Sequence, residues 1–245
     1  YQIIVSLILL ISPLIIIFRI LKKKEDKKRF KEKFVFPTKT RKKGKLIWFH
    51  GASVGEILSI IPLIKNYEKN KLISQILITS STLSSSKILR KFNFKKTIHQ
   101  FYPIDQFFFT NKFLKYWKPS LAIFIESEIW PCMYQNINEK KIPLILLNAR
   151  LTKKTFNRWL KLGNFAKSIF NKITIAYPQN LETKLYLKKI YSNKINNLGN
   201  LKFAEDQEIQ NNKLNPLLTL EFKKKKVWVA SSTHYNEEIF CVKAH

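Results

Sequence analysis

Residues 46–67, LIWFHGASVGEILSIIPLIKNY, decide how the chain is read. An apolar run of strand length meets a glycine, and a helical pattern follows from Val54. Gly51 and Gly55 permit close backbone approach, and Ser53 is placed to cap the helix. Ser53 and Glu56 also stand at the S-x-x-E spacing of a capping box. Two readings of Glu56 therefore stand side by side. It is a plain cap partner, or it is a general base in the first helical turn, where the helix dipole lowers its pKa and keeps it ionised. No G-K-[ST] follows, so this is not a Walker phosphate loop.

Working outward, the same alternation recurs. Strands are expected at 46–50, 75–80, 98–102, 121–125, 144–147, 173–176 and 195–198, mostly as continuous apolar runs that suit parallel strands covered on both faces. Helical patterns fall between them at 54–67, 84–92, 107–117 and 182–190. The expectation is an α/β fold with a doubly wound, Rossmann-type sheet, whose chemistry gathers at the carboxyl ends of the strands. Residues 205–226 are polar, Asn-rich and basic and read as a linker. Beyond it, a strand at 227–230 and a helix from Glu237 read as the first βα unit of a second domain, 227–245.

At the other end, residues 3–21 form an apolar run with one charge, Arg19, which is about the length needed to cross a bilayer core. Eight basic residues between Lys22 and Lys33 follow directly. Residues 1–21 are thus expected to be a transmembrane or membrane-anchoring helix, with a buried or interfacial helix as the alternative. Residues 22–44 read as a basic linker held on the cytoplasmic side by the positive-inside rule. A signal peptide is disfavoured, because its basic residues would precede the apolar core. Tyr1 in place of Met, and His245 inside an apolar-patterned stretch, read as fragment edges.

The 245 residues are 45% hydrophobic and 13% aromatic, enough for a packed core. Cys132 and Cys241 are far apart in sequence and make neither a disulfide framework nor a zinc site. The formal charge of +29 has three readings: a nucleic-acid surface, an anionic membrane surface, or a general Lys, Ile and Asn bias of composition. His50, His99, His234 and His245 share no metal-ligand spacing, so no metal is expected.

Further motifs sit where a site would form. Glu126 and Glu128 follow the 121–125 strand, and one of the two is expected to face a site. A helix N-terminal carboxylate is the alternative there. Arg150, after the 144–147 strand, suits a phosphate or carboxylate, or else an ion pair with Glu126 or Glu128. Lys202, in L-G-N-L-K-F, is placed to neutralise a leaving phosphate or a sugar carboxylate. The serines and threonine of 80–86 form a capped loop or an anion site.

Six motifs in order carry a resemblance: His50–Glu56 as H-x-A-S-V-G-E, the Ser80–Ser86 cluster, Glu126–Pro131 as E-x-E-x-W-P, Asn148–Leu151 as N-A-R-L, Gly199–Phe203 as G-x-L-K-F, and Ser232–Glu238 as S-T-H-x-x-E-E. Together they resemble the 3-deoxy-D-manno-octulosonic acid (Kdo) transferases of lipopolysaccharide assembly. The resemblance implies a GT-B architecture, with residues 45–204 binding the acceptor and the second domain binding CMP-Kdo. It implies inverting transfer of Kdo to the lipid A precursor, without a covalent sugar-enzyme intermediate, on the cytoplasmic face of the inner membrane; no cofactor is expected. Glu56 would be the base, and Glu126 and Lys202 would stabilise the charge-separated transition state. Ser53, Arg150, Ser232, Thr233 and Glu238 would contact substrates. Two positions depart from the family pattern. Ala204 replaces an acidic residue after L-K-F, and Asn236 replaces a glycine before E-E. With the second domain cut short, the chain alone is expected to be inactive. The rival function is a membrane-tethered basic protein that binds nucleic acid without catalysis.

Overall fold

The computed structural model describes residues 1–201, 216–223, 231, 233 and 236–244, without side-chain detail at residues 2–4, 8, 216–218 and 244. It divides into two units, residues 1–205 and 206–245. In the first, seven parallel strands form one sheet in the order β3-β2-β1-β4-β5-β6-β7: β1 (Lys45–His50), β2 (Ile73–Ser80), β3 (Thr97–Phe101), β4 (Leu121–Ile125), β5 (Leu144–Ala149), β6 (Ile175–Pro178) and β7 (Lys194–Ile195). The order reverses between β1 and β4, which leaves a crevice at the carboxyl ends of that pair.

Alternation along the strands divides the core in two. Leu46 and Trp48 of β1 face one side, with Phe124 of β4 and with α5 (Phe107–Trp117) and α6 (Pro131–Glu139). Ile47 and Phe49 face the other, with Ile123 and Ile125 and with α2 (Val54–Ser59) and α3 (Ile61–Lys69). The buried Trp48 indole donates to Thr79 Oγ1 at 2.9 Å, so this ring costs no unpaired N–H. Helices α4 (Leu83–Leu89), α7 (Lys153–Lys161), α8 (Asn164–Phe170) and α9 (Leu181–Ile190) complete the layers. The expected doubly wound α/β fold is present in the seven parallel strands.

Several boundaries differ from the sequence expectation. The helix expected over 54–67 is two, because Pro62 lacks an amide hydrogen and sits in the first turn of α3. The strand expected at 173–176 lies two residues later as β6, since Ile173 is consumed in closing the turn after α8. β7 is only two residues long. The strand expected at 227–230 lies outside the described residues. In the second unit, helices Pro216–Lys223 and Glu237–Ala244 are described, the first of them within the stretch read as a linker.

Residues 22–44 are not a free linker. A short 3-10 turn, Phe30–Phe34, packs against β3, and Val35 joins the core. Glu32 is wholly buried there. It accepts from Arg29 Nε at 2.7 Å and Nη2 at 2.9 Å, from the Phe101 amide at 2.7 Å, and from the Thr38 hydroxyl. Glu25, also buried, pairs with Arg19 and Lys33.

Helix α1 (Gln2–Leu21) carries Pro13 in its interior, which removes the amide that would bond the Leu9 carbonyl. Ser12 Oγ donates to that carbonyl at 2.7 Å instead. Ser12 and Ile16 are buried against the domain, while Leu7, Leu10, Leu14, Ile17, Phe18 and Leu21 are exposed. Counted over the fully described residues, no helix is long and apolar enough to cross a membrane.

A buried carboxylate with paired donors leaves several groups uncompensated when removed. Glu32→Ala is expected to cost about 3 kcal/mol, against less than about 0.5 kcal/mol for the exposed Lys161→Ala. Urea unfolding followed by circular dichroism measures the difference.

Candidate functional site

Two strand ends make the site. β1 finishes in His50, and the chain turns at Gly51 into α2. A Cβ built on Gly51 would stand 3.1 Å from Glu56 Cβ and 3.4 Å from Glu56 Oε2, so the glycine is what lets the carboxylate fold back over the turn. Gly55 has open space in front of it, and close packing within the chain does not explain it.

Glu56 closes the capping box and does more than cap. Its backbone amide donates to Ser53 Oγ at 3.2 Å, Ser53 Oγ donates to Glu56 Oε1 at 2.8 Å, and the Ala52 amide donates to Oε2 at 2.7 Å. Both readings of the motif are thus compatible in one geometry. The expected lowering of its pKa is corrected. Burial pushes the carboxyl up, Glu128 and Glu126 push it further, and the Ser53 and Ala52 hydrogen bonds only partly offset them. Desolvation first, and like charge after it, set the direction.

The second wall is the end of β4. The strand stops at Ile125, and Glu126 takes a left-handed conformation with φ 56°. A non-glycine residue there costs on the order of 1 kcal/mol, and the backbone around it holds it in place. The Glu126 amide donates to the Leu147 carbonyl at 3.0 Å, and its carbonyl accepts from the Arg150 amide at 3.3 Å. Ser127 Oγ donates to the Arg150 carbonyl at 2.7 Å, and Asn148 is left-handed too, with φ 53°. The β4 and β5 ends are stitched together through residues 126–127 and 148–150. The expectation that one of Glu126 and Glu128 faces a site does not follow from their spacing, since residues two apart share a face of a strand and β4 ends at Ile125, before both. Both raise the pKa of Glu56.

Glu128 has a partner that sequence reasoning did not assign. His50 is fully buried, its Nε2 lies 3.0 Å from Glu128 Oε2, and its Nδ1 lies 3.0 Å from Thr79 Oγ1. The Trp130 indole donates to the same Glu128 oxygen at 2.8 Å, and Tyr102 stacks on the imidazole at 3.9 Å. Burial pushes the Glu128 carboxyl up, but His50 and Trp130 outweigh it and hold it below the usual carboxylate range. The available signal was the position of His50 at a strand end against a glycine turn. Asp105 was missed as well. Buried, it accepts the Cys132 and Met133 amides at 3.1 and 2.8 Å and so fixes the start of α6 from 27 residues away.

The remaining expected residues divide. Ser53 is the α2 cap. Arg150 is exposed at the same edge and makes no ion pair with Glu126 or Glu128 among the described residues. Thr82 caps α4, and Ser85 Oγ donates to the Ala52 carbonyl at 3.3 Å, which ties the Ser80–Ser86 cluster to the glycine turn. Lys202 and Ser232 lie outside the described residues; Leu201 donates to Asn148 Oδ1 at 3.0 Å. In the second unit Thr233 donates to Glu238 at 2.8 Å. Asn236, at φ 72°, occupies the conformation that a glycine would take without strain. Among the described residues no group of His, Cys, Asp and Glu could hold a metal.

The family model described as 3-deoxy-D-manno-octulosonic-acid transferase (kdotransferase) matches residues 28–205. The chain belongs to this family. A 3-deoxy-D-manno-octulosonic acid transferase of Rickettsia prowazekii is 41% identical over 198 residues, 79% of this chain and 42% of that protein. One of Rickettsia bellii is 38% identical over 240 residues, 97% of this chain and 57% of that protein. One of Haemophilus influenzae is 28% identical over 204 residues, 81% and 47%. The chain spans about half the length of these curated relatives. The kdotransferase match includes all seven strands and both walls of the crevice, and it begins in the packed segment after α1.

The raised Glu56 pKa has a stability consequence. Below the ordinary carboxylate value Glu56 is protonated folded and unfolded; as pH rises through the interval up to the folded value, wild type loses stability. Glu56→Gln is therefore expected to match wild type in melting temperature near pH 4 and to exceed it at pH 7. Thermal melts across that range decide it.

Proposed function

We propose that the parent protein of this chain transfers Kdo from CMP-Kdo to the lipid A precursor in lipopolysaccharide assembly, with Glu56 as general base. The observation that carries this is the Glu56 carboxylate, fixed by Ser53 and Ala52 at the β1–β4 crevice and raised in pKa beside Glu126 and Glu128. A base nearer neutrality takes a hydroxyl proton more effectively than a fully acidic carboxylate. The relatives, 3-deoxy-D-manno-octulosonic acid transferases by name, support the sugar.

On this reading the acceptor hydroxyl lies against Glu56 and gives up its proton as its oxygen attacks the anomeric carbon of Kdo. CMP leaves from the opposite side, and the configuration inverts. Positive charge develops at a carbon that already bears a carboxylate, so positioning and electrostatics supply most of the acceleration. Glu126 and Lys202 stabilise the separated charges, and Arg150 is the cation at the edge for an anionic substrate group. The His50–Glu128 pair sets the floor beneath Glu56. Ser232, Thr233 and Glu238 belong to the donor side of a GT-B architecture. Helix α1, with its exposed apolar face and the basic residues after it, holds the domain at the cytoplasmic face of the inner membrane.

Transfer of labelled Kdo from CMP-Kdo to lipid A precursor by the full-length parent tests the reading. Glu56→Gln is expected to lower the rate by about 10²- to 10⁴-fold with the fold intact. A wild-type parent that transfers no sugar while a control enzyme does would refute the proposal. Salt-sensitive nucleic-acid binding that survives Glu56→Gln would favour the rival function.

A further inference from the structure

A second cavity, of about 500 Å³, opens on the outer edge of the sheet, away from the β1–β4 crevice. It lies along β3 and α4, and its wall is completed by the segment that follows α1. Lys28, Arg29, Lys39 and Arg90 line it, and no carboxylate does. The nearby acids are already engaged. Glu32 is wholly buried in its pair with Arg29, and the Asp26 carboxylate accepts the Lys28 and Arg29 amides at 2.9 and 3.0 Å.

The back of the cavity is His99. Arg29 Nη2, which can only donate, lies 2.9 Å from His99 Nδ1, so the imidazole proton is on Nε2 and is donated to Ser80 Oγ at 2.8 Å. Burial together with Arg29 and Arg90 pushes His99 down to about 3, so the ring is neutral and the cationic field of the two guanidinium groups reaches the cavity wall. The cavity is also lined by apolar groups: Leu89, Ile98 and the stacked rings of Phe92 and Phe94, 5.5 Å apart.

We propose that this cavity binds the phosphate of an anionic amphiphile, with Arg90, Lys39 and Lys28 around the phosphate and the Phe92–Phe94 side against its apolar part. Arg29 contributes charge from a position fixed by Glu32. The size suits a headgroup, and clustered Arg and Lys match phosphate oxygens as donors. A lipid source is favoured over a free phosphate for two reasons on the molecule itself: four of the twelve lining residues are apolar, two of them phenylalanines, and Lys28 is seven residues beyond the end of the apolar helix α1. None of the residues assigned to transfer takes part.

The test is calorimetric titration of the full chain in neutral detergent with dihexanoyl phosphatidic acid, dihexanoyl phosphatidylcholine and inorganic phosphate. Phosphatidic acid is expected to bind about tenfold more tightly than either of the others, and Lys39→Ala/Arg90→Ala to weaken it about tenfold. Lys161→Ala/Lys188→Ala removes the same charge elsewhere and is expected to change binding less than about twofold. Equal loss in both double variants would reduce the effect to general charge attraction and overturn the proposal. Inorganic phosphate binding as tightly as phosphatidic acid would reject the lipid source, and no binding of any of the three would reject the site.

Discussion

The pairing of β1 with β4 is the constraint from which the site follows. Strands laid down on one side of β1 give β2 and β3; the chain then returns to the other side of β1 for β4 and continues outward. Two crossovers leave the same strand pair in opposite directions, so no connection covers the carboxyl ends of β1 and β4. His50, Gly51 and Glu56 arrive at that gap from one side and Glu126 and Glu128 from the other. Both walls are tightly constrained: at Gly51 a Cβ would crowd Glu56 and Ile57, and at Glu126 φ is positive.

Electrostatics at the gap is a contest between burial and donors. Glu56, Glu126 and Glu128 crowd together, and in water such a group would disperse. Glu128 escapes the crowding by bonding His50 and Trp130, and it ends lowered; Glu56 has only hydroxyl and amide donors, and it ends raised. The two carboxylates differ in chemistry because their partners differ, not because their helix or strand positions do.

Much of the fold was legible in the sequence, because continuous apolar runs separated by helical patterns have few other solutions. The motif at 48–56 also fixed the strand, turn and cap in their observed places. What stayed hidden depended on residues distant in sequence. The direction of the Glu56 shift needed its burial in the folded crevice, with Glu128 and Glu126, some 70 positions away, adding to it. The ordering of 22–44 needed Glu32 to find the Phe101 amide, and a run of lysines concealed it. His50 and Glu128 were each visible, but their bond closes only when β1 and β4 lie side by side. The Pro62 break between α2 and α3 was written in the sequence and was masked by an otherwise unbroken periodicity.

The packed segment between α1 and β1 has a mechanical side. Arg19 and Lys33 both grip Glu25, Arg29 and Thr38 both grip Glu32, and Glu32 holds the backbone of β3. Bonded contacts therefore run from the apolar helix to the sheet edge through the segment, which ties the two together. Whatever surface α1 rests on, its tilt is carried straight into the sheet, and the height of the Glu56 carboxylate above that surface is set by the fold.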